Sequence, residues 1–341
     1  FDGAMVLLKE EERLRRETGV KKDLHNVLIN QGRIFREQGN FDRAMALYKE
    51  AEQICHELGD KSKLATCLRH QALALDDLGD PDTALSLHKK EEQLYRDLGD
   101  MDGVQISLHN QSCILKRWGD LKGAMELCRE EERICIKLGM KGEQAVSLHN
   151  QAKIYKDWGN LKKAMSLFKK EEKILRELDD KRALAILLGE QAQLFQDSLS
   201  LDTALVLFKE QSKLFLELED RKSLAFSILS QAGVLRDMMD LDQAMELYRR
   251  AENLCREFND KLGLQDSLSG QALVFLDRGD LDLALRLFQQ EEQLCRELDD
   301  KEKLQFSLGN QGLVLYFQGH IDEAMALSLI HISEPTRQAE I

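Results

Sequence analysis

Apolar positions return along this chain at helical steps. Between residues 141 and 157, Ala145, Leu148, Ala152 and Tyr155 follow one another at intervals of three and four, the spacing of one buried helix face. After Gly159 and Asn160 a second stripe opens with Leu161, Ala164, Met165, Leu167 and Phe168 and continues through Ile174, Leu175 and Leu178. The pattern predicts a helix A over about 141–157 and a helix B over about 161–177. A shift of 40 residues in either direction finds nearly the same pattern. Gln31, Gln71, Gln111, Gln151, Gln191, Gln231, Gln271 and Gln311 hold one register, and Ala44, Ala84, Ala124, Ala164, Ala204, Ala244, Ala284 and Ala324 another. Self-similarity at a fixed period of this length predicts stacked supersecondary units. Such an array grows by adding units and has no single central core.

The joints are written in turn chemistry. Gly39, Gly79, Gly119, Gly159, Gly279 and Gly319 follow helix A, where a left-handed residue ends a helix at least cost. Asn40, Asp80, Asp120, Asn160, Asp240 and Asp280 come next and are placed to accept the free amides opening helix B. Loops of about two residues force neighbouring helices antiparallel. Gly32, Ala72, Ser112, Ala152, Ala192, Ala232, Ala272 and Gly312 lie twelve residues before the repeated alanine. One small position per helix lets A and B approach closely, and Leu28, Leu68, Leu108, Leu148, Leu188, Ile228, Leu268 and Leu308 fill the space above.

This order of small residue, twelve positions and alanine, with large apolar residues three after the first and four after the second, resembles the tetratricopeptide repeat. Ala152, Tyr155, Gly159, Ala164 and Phe168 take those roles in one unit. The resemblance implies an all-α fold, a right-handed α-solenoid of antiparallel helix pairs, over residues 1–327. It implies seven complete pairs over 21–300 and partial units at each end. The usual unit has about 34 residues; the 40-residue period places this chain with the long-unit variety. Two features depart from the family pattern: the glutamine register stands where leucine is usual, and the proline at the unit's end is absent. HEAT-like helical pairs have a similar period and remain an alternative.

Both ends carry expectations. Phe1, Asp2, Ala4, Met5 and Leu7 match Phe41, Asp42, Ala44, Met45 and Leu47, so the chain is expected to open inside a repeat. The last residues, 328–341, read SLIHISEPTRQAEI and break the register. They are expected to be non-native sequence, with a genuine capping segment as the alternative.

Charge narrows the partner class. The formal net charge is −13 with 32% charged residues, and no basic run offers a nucleic-acid or anionic-membrane footprint. No apolar run reaches the roughly 18 residues of a membrane span. The seven cysteines show no CxxC or zinc spacing. They are expected to pack as free thiols in a reducing compartment, hence the cytoplasm.

Catalytic motifs are not found, and no cofactor, metal or enzyme activity is expected. The acid pairs Glu91-Glu92, Glu131-Glu132, Glu171-Glu172 and Glu291-Glu292 are expected on a solvated face, with Glu92–Arg96, Glu172–Arg176, Glu252–Arg256 and Glu292–Arg296 at supporting i,i+4 spacing. His109 and His149 are expected on a solvated groove wall. The glutamine register is expected to form a structural ladder, each amide bonded within its own or the neighbouring unit, because an unsatisfied buried amide costs about 1–3 kcal/mol. Direct contact of these amides with a ligand is the alternative.

The resemblance also implies a peptide groove lined by helix A. Its asparagine position falls on Asn30, Asn110 and Asn150, with His70 in the second unit. The flanking groove positions gather Arg33, Arg36, Arg69, Lys116, Lys153 and Lys156. Such a set suits an acidic peptide or a free C-terminal carboxylate. Towards the other end, Phe226, Leu229, Leu273, Leu276, Phe306, Leu313 and Tyr316 make the same positions apolar. The expected function is a protein-interaction scaffold or adaptor. A sensor array of a larger signalling NTPase and a structural part of a large assembly, such as an axoneme, are the alternatives.

Overall fold

The computed structural model describes residues 2–19 and 23–326; Phe1 and the tail 328–341 lie outside them. Among the described residues every regular element is a helix. Two compact units form, Phe1–Ile174 and Leu175–Ile341. The first holds α1 (Asp2–Glu17), α2 (Leu24–Glu37), α3 (Phe41–Leu58), α4 (Lys61–Asp77), α5 (Pro81–Leu98), α6 (Met101–Arg117), α7 (Leu121–Leu138) and α8 (Lys141–Asp157). The point of division falls within α9 (Leu161–Glu177). The second holds α10 (Lys181–Asp197), α11 (Leu201–Glu217), α12 (Arg221–Asp237), α13 (Leu241–Glu257), α14 (Lys261–Asp277), α15 (Leu281–Leu298) and α16 (Lys301–Phe317). Within each unit consecutive helices pack side by side as antiparallel pairs. No helix of the described residues is long and apolar enough to cross a membrane.

The joints work as their residues require. Gly39 has φ +74°, and its N–H closes on the Arg36 carbonyl at 2.9 Å. Asn40 then accepts from the Arg43 amide, and Asp80, Asp120, Asn160, Asp240 and Asp280 do the same three residues on. Leu199 and Met239 take the same left-handed corner, φ +57° and +63°. The hairpin contacts hold these two non-glycine residues in a conformation that costs roughly 1–2 kcal/mol per residue.

The core repeats in layers. The small positions Ala72, Ala192 and Ala272 are fully buried against the repeated alanines Ala84, Ala204 and Ala284 of the following helix. Gly32 shows why the first unit departs from alanine: a Cβ there would stand 2.4 Å from the buried Tyr48 ring.

Two ladders of polar bonds run through this apolar packing. The glutamines of the repeated register are buried, and their amides donate to a side chain of the preceding B helix. Gln31 donates to Glu12 at 2.8 Å, Gln71 to Glu52 at 2.6 Å, Gln111 to Glu92 and Gln151 to Glu132 at 2.7 Å. In the second unit Gln271 reaches Glu252 at 2.7 Å and Gln311 reaches Glu292 at 2.9 Å, while Gln231 uses the hydroxyl of Ser212. One turn before Gln111, Gln151, Gln231 and Gln311, Ser107, Ser147, Ser227 and Ser307 donate to the carbonyls of His88, Cys128, Phe208 and Phe288. The expected structural ladder is therefore present, and it joins adjacent hairpins. The receiving carboxylates are held from a second side: Arg16, Arg96, Arg256 and Arg296 grip Glu12, Glu92, Glu252 and Glu292 four residues earlier.

The acid pairs correct the sequence reading. Their second members do face outwards in part, but Glu91, Glu131, Glu171 and Glu291 are buried at 0, 0, 5 and 3% exposure. They share one register with Ala51, Gln211 and Ala251, and the partner residue on the A helix changes to suit. Glu91 meets Arg69, Glu131 meets His109, and Glu171 meets His149. Gln211 lies over Gly189, where a Cβ would clash with its amide at 2.3 Å. Ala51 and Ala251 share core clusters with the bulky Ile29 and Leu229. Glu291 has no cation of this kind; one of its carboxylate oxygens is buried without a hydrogen-bond partner. Burial pushes its pKa up from 4.5 to about 7, against the opposing pull of Ser269, Ser307 and Lys303.

Two outcomes follow from these layers. Gln151→Leu leaves the Glu132 carboxylate without its cross-hairpin donor and lowers stability by about 1–3 kcal/mol, read as a lower urea midpoint; an unchanged midpoint would mean the amide bond contributes nothing net. For Glu291 the folded state retains a proton that the unfolded chain releases near 4.5. Its contribution is full below that value and is lost as pH rises through about 7. Glu291→Gln, the amide found naturally at Gln211, therefore raises stability at pH 8 by on the order of 1–3 kcal/mol and leaves it unchanged at pH 4. Urea titrations at the two pH values check this, and a gain of equal size at both would refute it.

Candidate docking wall

The exposed stripe of each A helix in the first unit runs along positions four, three and four apart. In α8 it reads Val146, Asn150, Lys153 and Asp157; in α6 it reads Ile106, Asn110, Cys113 and Arg117. The opposite face carries Leu148, Ala152 and the buried glutamine, so helical geometry alone fixes which residues look out. Val146 is 47% and Ile106 37% exposed.

The ten sequence-predicted site residues divide into two groups. Asn30 and Arg33 are exposed, and Asn110, Lys116, Asn150, Lys153 and Lys156 are half-buried on this stripe or beside it. The other three are engaged in the scaffold. Arg36 pairs with Asp77 of the next A helix at 2.7 Å. Arg69 donates to the buried Glu91 at 2.6 Å and to the Tyr95 hydroxyl at 3.0 Å, and its guanidinium lies over the Tyr95 ring. His70 stacks on the Tyr48 ring at 5.5 Å. Burial, reinforced by Arg69, Arg33 and Arg36, lowers its pKa to about 4, so this imidazole is neutral at pH 7 and adds no charge to the wall. In the second unit, Phe226, Phe306, Leu313 and Tyr316 are exposed as predicted, whereas Leu229 is buried in the core.

His109 and His149 are a further correction. Each turns inward and places Nδ1 on a buried carboxylate: His109 on Glu131 at 3.2 Å and His149 on Glu171 at 3.1 Å. Sequence reasoning missed this because Glu131 and Glu171 looked like half of an exposed acid pair. The available signal was the matched register, in which every buried acid of the first unit faces a cation or imidazole 22 residues earlier. Among the described residues, no three His, Cys, Asp or Glu side chains are grouped so as to hold a metal ion.

Arg69 has a structural role that its substitution exposes. Arg69→Ile takes the cation from the buried Glu91 carboxylate, leaving it His88 Nδ1 at 2.7 Å, and lowers stability by about 3–5 kcal/mol. Adding Glu91→Ala recreates the Ile29–Ala51 combination and recovers part of the loss, since the buried His88 then loses its carboxylate. Chemical denaturation of the single and double variants checks this; a double variant no better than the single would show that Arg69 acts elsewhere.

The fold agrees with known proteins. Family models described as tetratricopeptide repeat match residues 23–97, 145–170 and 265–290. Among curated proteins none is significantly similar in sequence. Solved structures match by fold at low identity. A Signal Transduction ATPase with Numerous Domains protein with a tetratricopeptide repeat sensor, from Pyrococcus horikoshii, is 18% identical with a TM-score of 0.70; the match covers 86% of this chain and 45% of that one. The apo form of RapI is 15% identical with a TM-score of 0.70, covering 91% and 86%. The apo quorum sensor NprR from B. thuringiensis is 12% identical with a TM-score of 0.60, covering 97% and 95%. Helical pairs at a 40-residue period in both units, matched by the family models at three separate places, show that this chain carries tetratricopeptide repeats.

Proposed function

We propose that the first unit is a peptide-binding scaffold, and that the exposed stripes of α2, α4, α6 and α8 form its docking wall. The arrangement along α8 carries the proposal. Val146 offers an apolar contact, Asn150 a carboxamide able to bond both backbone groups of an extended peptide, and Lys153 and Lys156 the charge for a carboxylate. Asn110 and Lys116 repeat the last two elements on α6, and Asn30 and Arg33 repeat them on α2. On a chain of net charge −13, a local basic wall favours an acidic segment or a free C-terminal carboxylate. Because the helices are fixed by the ladders, the wall is organised before binding, and the entropy cost falls on the peptide. The seven unpaired cysteines support a reducing compartment such as the cytoplasm.

A second reading, a sensor array in a larger signalling ATPase, draws support from the fold likeness to the P. horikoshii protein, which is described as carrying such a sensor. A phosphate-binding loop encoded in the same transcript would favour it.

The docking wall is tested by capture from a pool of synthetic acidic peptides with free or amidated C-termini. The wild-type chain retains peptides that a chain carrying Asn150→Ala and Lys153→Glu does not, while the two chains share a urea midpoint. Equal retention by both would remove the wall from the binding site.

A further inference from the structure

Cys113 stands apart from the other cysteines. Cys55, Cys67, Cys128, Cys135, Cys255 and Cys295 are buried, and Cys113 alone of the seven is half-exposed. It lies on the outward stripe of α6, one helical turn after His109. The His109 Nε2 is 3.7 Å from the Cys113 Sγ, and its Nδ1 is 3.2 Å from Glu131 Oε1. Glu131 is fully buried on α7 and is itself fixed by the Gln105 amide at 2.7 Å. Its second oxygen is buried without a hydrogen-bond partner, leaving negative charge that an imidazolium beside it answers. A nucleophile, a base and a carboxylate that orients the base are thus aligned from solvent to core.

We propose that Cys113 is an activated thiol and a site of reversible modification by small disulfides. His109 Nε2 takes the thiol proton. The Cys113 sulfur attacks one sulfur of the disulfide, a new S–S bond forms, and the old one breaks. The departing sulfur leaves as a thiolate and takes the proton back from His109. Cys113 is oxidised, and the departing half of the reagent is reduced to a thiol. Exchange of this kind needs only a thiolate and access. It needs no oxyanion donors, which the middle of α6 does not offer, since its amides are bonded within the helix.

The surroundings agree. The Cys113 contact and the Glu131 bond together raise the His109 pKa to about 10 against its burial, so the imidazole holds firmly the proton it takes from the sulfur. The next hairpin keeps the histidine and acid, as His149 and Glu171, but has Lys153 in place of the thiol. Cys55 and Cys67 approach to 3.7 Å but are buried together, away from any reagent. The assignment stands without the peptide reading, because it concerns the thiol alone.

The test uses the native chain and the aromatic disulfide dithiobis-nitrobenzoate, following thionitrobenzoate release. The wild-type chain releases one equivalent in a fast phase, and peptide mapping places the adduct on Cys113. Cys113→Ser abolishes that phase. His109→Gln, which removes the base, slows it by about tenfold or more at pH 7. Glu131→Gln, which preserves the carbonyl acceptor, slows it by a smaller factor and covers the case in which the His109 variant does not fold. A fast phase that survives Cys113→Ser, or wild-type rates in both other variants, would overturn the proposal. Loss of peptide capture with the fast phase intact would count against the docking wall and not against the thiol.

Discussion

The hydrogen bond from a buried glutamine to a carboxylate on the preceding helix sets the spacing of everything else. Apolar packing between helices is non-directional and tolerates sliding of one ridge along another. A bond of 2.6–2.7 Å from Gln71, Gln111 or Gln151 to Glu52, Glu92 or Glu132 does not. Each bond ties helix A of one hairpin to helix B of the hairpin before it. Beside Gln111 and Gln151 a serine-to-carbonyl bond one turn away fixes a second point, and two points fix both height and rotation. Because the acceptor is ionised, the bond is stronger than a neutral pair.

The same constraint explains why the buried register varies as it does. Once the helices are pinned, the space between the A and B helices of a hairpin is fixed, and its contents must fill it in volume and charge. Ile29 with Ala51 and Leu229 with Ala251 fill it with hydrocarbon. Gly189 gives way to Gln211, whose amide finds the Ala185 carbonyl at 3.0 Å. Arg69–Glu91, His109–Glu131 and His149–Glu171 fill it with paired charge or a polar pair. A buried ion pair is weak evidence of added stability, since desolvation opposes the Coulomb gain. These positions are better understood as interchangeable fillings of one cavity than as a stability device. Glu291 is the imperfect filling, and its pKa is raised by burial that its neighbours do not offset.

Legibility followed the physics of each signal. Helix boundaries, caps and small-residue contacts were readable because each depends on a residue and its neighbours three or four positions away. The glutamine ladder was readable as a kind of bond, since a buried amide must be satisfied, though not in its partner: the acceptor lies 19 residues back and belongs to an acid pair that looked solvated. Adjacent helix positions point about 100° apart, so one glutamate of each pair had to turn inward. At the candidate wall, register alone placed Asn110, Asn150 and Lys153. It could not reveal that Arg36 and Arg69 are bound within the scaffold, because their partners Asp77 and Glu91 lie on other helices.

That division of cations has a chemical logic. In the first unit Arg16, Arg36, Arg69, Arg96 and Arg117 all sit in ion pairs between helices. The planar guanidinium is weakly hydrated and presents several donors at fixed angles, so it bridges Glu92 and Glu130 at once in the case of Arg96. Lys116, Lys153 and Lys156 lie on the outward stripe or beside it. An ammonium is a compact, strongly hydrated charge on a flexible stem, without the fixed fork of donors that lets one guanidinium bridge two carboxylates. That fork is what the contacts of Arg16, Arg36, Arg69, Arg96 and Arg117 between helices use.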